Sequence, residues 1–228
     1  MSWKSDIERV RAVAWKDLTV ERHTKANFNS VAFLGALILM LFGFALGADS
    51  TALRAAAAGV LWLAVLFSGV LAFARSYQVE LEGSALESLL LYPGSRWTIY
   101  AGKLIANLVF VGLMEIVIIP VALALYHLQV PDRWPTLLAV LLLGTFGFVT
   151  LGTFYAAMAS RTRAREVLLP LLLFPMMVPV LLAATEASNA LLNGDPMGNS
   201  GAWIRLLVAF DAIFFVASMF AFEYVIEV

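Results

Sequence analysis

The sequence predicts an all-α polytopic membrane protein: six transmembrane helices preceded by an amphipathic helix, with both termini cytoplasmic. Three observations carry the membrane assignment. Hydrophobic residues fill 62% of the 228 positions and charged ones only 14%, and the mean hydropathy of +0.89 lies outside the range of soluble globular domains. Six apolar stretches, Phe28–Leu46, Ala55–Phe73, Leu104–Leu125, Leu137–Met158, Val167–Ala184 and Leu206–Tyr224, are each about long enough to cross a hydrocarbon core of ~30 Å at 1.5 Å per residue. The 15 Lys and Arg residues alternate across those stretches. Lys4, Arg9, Arg11, Lys16, Arg22 and Lys25 precede the first, Arg75, Arg96 and Lys103 separate the second from the third, and Arg161, Arg163 and Arg165 separate the fourth from the fifth. Only Arg54, Arg133 and Arg205 fall in the remaining segments, so the split is 12 cytoplasmic against 3 outside, the asymmetry of the positive-inside rule.

The same composition excludes other classes. A net charge of −1 gives no ground for a nucleic-acid partner, and the absence of cysteine removes disulfides, thiolate metal sites and thiol catalysis. The first apolar run follows 27 mostly polar residues and continues at full spanning length, unlike a cleaved signal peptide, so the first span is expected to be its own insertion signal. No internal repeat or low-complexity tract divides the chain. A single membrane domain over 1–228 is expected.

Taken in order, the arm 1–27 carries Trp3, Ile7, Val10, Ala14 and Leu18 at helical spacing, with Lys4, Arg9, Arg11, Lys16 and Asp17 on its other faces. This is the pattern of a helix lying in the cytoplasmic interface, anchored by Trp15. The segment 74–103 is too polar for lipid yet holds Leu86, Leu89, Leu90 and Leu91; a helix over Glu80–Leu91 would end before Pro93-Gly94. Its acidic and leucine faces read equally as a docking surface or as a loop helix packed on its own bundle. Gly144, Gly147 and Gly152, beside Thr145 and Thr153, mark the fourth span as a helix-packing face. Pro170, Pro175 and Pro179 predict a kinked or broken fifth helix. The outer segment 185–203 reads as a short helix, Glu186–Leu192, then a turn-rich loop that dips back into the outer leaflet.

Candidate chemistry is sparse. Glu115 in the third span and Asp211 in the sixth are intramembrane acids; an unpaired ionised carboxylate there costs ~2.5–3.5 kcal/mol on insertion scales. Each must face the bundle interior, a water path or a partner, in a functional or a structural role. His23 and His127 lie on opposite sides of the membrane and cannot share a metal; His127 alone is placed to meet an outer-face ligand, a weak candidate. Gly102-Lys103-Leu104 lacks the glycine and the Ser or Thr of a phosphate loop, and no hydrolase motif is present. Any ATP must be bound by another chain.

Four tracts together carry a resemblance: Trp15–Phe33, Gly59–Leu108, Leu168–Ala187 and Ala209–Val228. In that order and at this length the chain resembles the CcmB family, the haem exporter permeases of bacterial cytochrome c maturation, which are type 2 ABC exporter subunits. The resemblance implies a non-catalytic subunit of the bacterial inner membrane, without a cofactor of its own. It implies an ATPase partner (CcmA-like), haem-handling membrane partners (CcmC-like and CcmD-like), a periplasmic haem chaperone (CcmE-like) and a second permease copy. Haem is then the substrate, either exported or released with the loaded chaperone. Glu80, Glu82, Gly83, Leu86, Glu87, Leu89 and Leu90 would contact the ATPase. Ala74-Arg75-Ser76-Tyr77 departs from the acidic stretch common in the family at this point, and no haem ligand carries over to a residue here. Two alternatives remain: a type 2 permease for another amphipathic or lipid-like substrate, and an ATPase-independent transporter in which Glu115 and Asp211 relay protons.

Overall fold

A computed structural model describes residues 3–23, 25–47, 50–82, 95–129, 132–160, 162, 165–195 and 198–227. Among them are seven helices and no strand: α1 (Trp3–His23), α2 (Lys25–Leu46), α3 (Ser50–Glu82), α4 (Trp97–Leu125), α5 (Trp134–Ser160), α6 (Arg165–Leu192) and α7 (Ser200–Glu227). Helices are what apolar runs of this length must form in lipid, because only a helix satisfies every backbone N–H and C=O within its own segment. Six are long and apolar enough to cross a membrane, over Asn27–Leu46, Thr51–Ser76, Trp97–Leu125, Trp134–Ser160, Val167–Leu192 and Ser200–Val225. Each predicted span lies inside one of these.

α5 packs against α3, α4, α6 and α7. Its glycines make that possible. A β-carbon at Gly144 would strike the indole of Trp62 and one at Gly152 the ring of Phe73, both on α3, so the missing side chains are the sockets in which the aromatic rings sit. Gly69 of α3 receives Phe148 of α5 in the same way. Polar tips inside the bundle find partners on neighbouring helices: the Trp62 indole N–H donates to Ser188 Oγ at 3.1 Å, Tyr100 to the Thr150 carbonyl at 3.0 Å and Tyr126 to the Leu39 carbonyl at 2.9 Å. The outward faces of α2 and α7, with Phe33, Leu41, Phe44, Ile213 and Phe220 exposed, are apolar, as a lipid-facing surface is.

α1 does not trail from the bundle. Its Val13 and Ala14 are buried, and Gly102 of α4 approaches so closely that a β-carbon there would meet the Val13 side chain and the Val10 carbonyl. The docked face is thus the Val10, Ala14 edge of the predicted stripe, extended through Val13 and Asp17. Ile7 and Trp15 remain exposed.

Three local expectations change. α3 continues past its span to Glu82, so Glu80 and Glu82 end a long helix instead of opening a separate one; Gly83, Leu86, Glu87, Leu89 and Leu90 lie outside the described residues. α6 is one helix through Pro170, Pro175 and Pro179, so of the kinked or broken helix expected only the break is removed: each proline takes away a single donor, whereas a break in lipid would leave several groups unpaired. Glu186–Leu192 is the end of α6, not a helix of its own. Val180, Ala183, Ala184, Ala187 and Leu191 form one continuous buried stripe at the i, i+3, i+4, i+7 spacing that keeps a helix growing along its packed face. With Ser200–Trp203 forming the start of α7, the outer segment reduces to two helix ends and the connection between them.

Candidate functional site

Polar groups concentrate at three levels of the bundle. In its middle, α4 presents Glu115 (7% exposed) and α7 presents Asp211 (5% exposed). The Thr145 hydroxyl of α5 donates to Glu115 Oε1 at 2.5 Å. Asp211 places its Oδ1 against Gly147, where a β-carbon would collide with it, and neither of its carboxyl oxygens has a hydrogen-bond partner among the described residues. Thr145 and Gly147 are two residues apart, about 3 Å of rise and roughly 200° of turn. The structure therefore brings both acids to α5 at nearly one depth but on different sides of it, without a bond between them. The small residues of α5 create the room: Thr145 is a donor short enough to be buried, and Gly147 leaves the volume the Asp211 carboxyl fills.

At the membrane edge on the α1 side, four helices meet around a linked set of charges. Lys103 of α4 is fully buried, at 0% exposure, and its ammonium lies 3.1 Å from Asp17 Oδ2 of α1 and 3.5 Å from the Ser76 carbonyl of α3. Lys16 is 2.9 Å from the other Asp17 oxygen. Arg75 of α3 donates to Asn27 Oδ1 at 2.7 Å, and the Asn27 amide donates to Glu21 Oε1 at 2.7 Å. Burial raises the pKa of Glu21 above the ordinary carboxyl value, opposed by the Asn27 hydrogen bond and by Arg75. One helical turn deeper, Asn107 donates to Thr153 Oγ1 at 2.9 Å.

On the other side, Asp195 caps α7. It accepts the Ser200 hydroxyl at 2.5 Å and the Asn199 N–H at 2.8 Å, and Arg133 stands 3.7 Å away. The Ser200 hydroxyl is the main reason its carboxyl pKa is lowered; as a charged cap it also complements the positive end of the helix. His127 follows α4 directly, exposed, with a φ of 49°, and no cluster of three or more His, Cys, Asp or Glu side chains suited to a metal occurs among the described residues.

The sequence singled out Glu115 and Asp211 by depth alone. It missed Lys103, treated as one more cytoplasmic cation, and Asn27 and Arg75. A signal existed for Asp17, which stands three residues after Ala14 and seven after Val10 on the buried edge of the arm. Asp195 was concealed in a loop whose polar residues all read as turn formers.

A family model described as "CcmB protein" matches residues 8–228. Among curated proteins, the chain is 31% identical over 175 residues to "Heme exporter protein B" of Pseudomonas aeruginosa, covering 76% of this chain and 78% of that one. It is 31% identical over 189 residues to the protein of that name from Paracoccus denitrificans, covering 82% and 86%, and 30% identical over 170 residues to that of Escherichia coli K12, covering 74% and 76%. With a match that runs through the arm and all six long helices, the chain belongs to the CcmB family.

Proposed function

We propose that the chain is the membrane permease subunit of an ABC transporter complex in cytochrome c maturation. It handles haem for export, or for release of the haem-loaded periplasmic chaperone, in the bacterial inner membrane. The family match across residues 8–228, with relatives named for haem export at about 30% identity, is the observation that carries this reading. The charge split favours cytoplasmic termini, which puts α1, the end of α3 and the start of α4 on the side where ATP is available.

In this reading a CcmA-like ATPase engages the segment from Glu80 to Leu90, and its movement passes into α3 and α4, the two helices that flank that segment. CcmC-like and CcmD-like proteins and a CcmE-like chaperone complete the complex, with a second copy of this chain. Glu115 holds α4 against α5 through its hydrogen bond from Thr145, and Asp211 holds α7 against α5 by filling the space at Gly147. Purified alone, the chain neither hydrolyses ATP nor retains haem, because phosphate binding requires a glycine-rich loop with its lysine and haem requires an axial ligand in a formed pocket. His127, solvent-exposed beyond α4, is at most an outer contact.

The test is co-expression of a tagged chain with the four partner types, followed by ATPase assay and haem absorbance of the chaperone. The expected result is co-purification of the ATPase and ATP-dependent release of haem-loaded chaperone. Leu89→Ala with Leu90→Ala should uncouple hydrolysis from release while leaving insertion intact. Haem handling that proceeds without the ATPase would overturn the proposal.

A further inference from the structure

We infer that the recess enclosed by α1, α2, α3 and α4 binds the headgroup of an ethanolamine phospholipid from the leaflet on the α1 side. A partly enclosed cavity of about 60 Å³ opens there, with Lys16, Arg75, Asp17 and Glu21 among its lining charges and Ala106 and Phe110 on its inner wall. Three independent markers put it at headgroup depth. Asn27 is the first residue of one span and Ser76 the last of the next, and both line the recess; Trp15 on α1 is 69% exposed, the position of an interfacial aromatic anchor. The molecule that stands at this depth, polar end outward and apolar end inward, is a phospholipid.

The charges choose the headgroup. Asn27 takes one of the five N–H donors of the Arg75 guanidinium, whose planar fork matches a phosphate diester, and Lys16 adds a second cation at the same opening. The carboxylates of Asp17 and Glu21 line the same recess. A purely anionic headgroup would bring its charge against both acids. A choline headgroup offers no N–H to them, whereas the ammonium of ethanolamine offers three. Mixed cations and acids around a small volume thus fit a zwitterion whose ammonium can donate. The inference rests on the position of the spans and not on the transported substrate, so it stands or falls separately from the haem reading.

The experiment uses the purified chain in detergent, with or without its partners. Retained lipid is measured by native mass spectrometry, and thermal stabilisation is measured with dioleoyl phosphatidylethanolamine, the corresponding choline and glycerol lipids, soluble phosphoethanolamine and inorganic phosphate. The ethanolamine lipid is expected to be retained about tenfold over the choline lipid, the equivalent of roughly one charge-assisted hydrogen bond. Glu21→Ala, which removes an acceptor for the ammonium, should reduce that preference, and Arg75→Gln, which removes a phosphate donor both lipids use, should weaken retention of both. Because Arg75 also bonds Asn27, a further variant, Val20→Trp, fills the mouth from a partly exposed position lining it and should reduce retention while all the charges stay. Equal retention of the glycerol lipid, full stabilisation by inorganic phosphate or phosphoethanolamine, or no lipid preference would each overturn the inference.

Discussion

Two polar regions of this bundle accommodate charge beside lipid in opposite ways. At the α1 edge, charges of both signs are joined: Lys103 to Asp17, and Arg75 through Asn27 to Glu21. Around α5, two acids sit without a cation among the described residues, one held by a threonine hydroxyl and the other fitted against a glycine. The first arrangement ties separate helices by attraction between ions, and its strength depends on every partner being present. The second depends on shape, since the small residues of α5 set how near α4 and α7 can come. The edge is therefore expected to respond to changes of charge and the middle to changes of volume.

The sharpest test lies at the edge. Asp17→Ala takes away a carboxylate 3.1 Å from a fully buried ammonium and should cost ~3–5 kcal/mol, the usual penalty for splitting a buried pair. Lys103→Met should cost less, because Asp17 keeps Lys16 at 2.9 Å and the methionine refills the buried volume. Thermal unfolding in detergent, with the double variant closing the cycle, measures the difference. A coupling energy near zero in that cycle would mean that α1 is held by its apolar contacts alone.

In the middle, volume should dominate. Gly152→Val drives its side chain into the Phe73 ring and is expected to cost ~1–3 kcal/mol by overpacking; Gly147→Ala should cost less, since it displaces only the tip of the Asp211 side chain. Glu115→Gln keeps a carbonyl to accept from Thr145 and should retain function, whereas Glu115→Leu leaves that hydroxyl unpaired, at ~1–3 kcal/mol. Asp211→Asn should likewise be tolerated. Under the proposed function, ATP-dependent release of haem-loaded chaperone by the assembled complex reads the functional side. Loss of activity in either isosteric variant at normal expression would show that ionisation matters here and would favour a proton-linked mechanism.

The smallest expected effect concerns Glu21, whose pKa is raised in the folded protein because burial disfavours the carboxylate. A raised carboxyl contributes stability below its unfolded value of 4.5, and that contribution is lost as pH rises through the folded value. Glu21→Gln removes the ionisable group while keeping an acceptor for Asn27. At pH 7 the variant should be as stable as the parent or more stable by up to ~0.5 kcal/mol, a solvent-screened figure, and the advantage should vanish below pH 4.5. Melting curves across that range check the sign.

Apolar length was legible because each span must satisfy its backbone alone, and the positions of the acids followed from it. The ends were less so. α3 and α6 run on past the predicted limits, because helical hydrogen bonding does not stop where hydropathy falls and because Ala187 and Leu191 extend the buried stripe of α6. The pairing of Lys103 with Asp17 spans 86 residues, and no local periodicity encodes which of the several cations on that side of the spans would be the buried one. Gly147 was recognisable as a packing residue, but what it packs against belongs to another helix.

The length of α3 has a mechanical meaning. Its 33 residues form one helix of about 50 Å, with no joint between the part that crosses the bilayer and the part that leaves it. A tilt of ~10° about its midpoint carries the two ends ~4 Å in opposite directions at that length. In the proposed coupling, a push delivered at Glu82 would be a lever stroke, felt at Ser50 at the other end of the helix with reversed sense, whereas a hinged loop helix would absorb it.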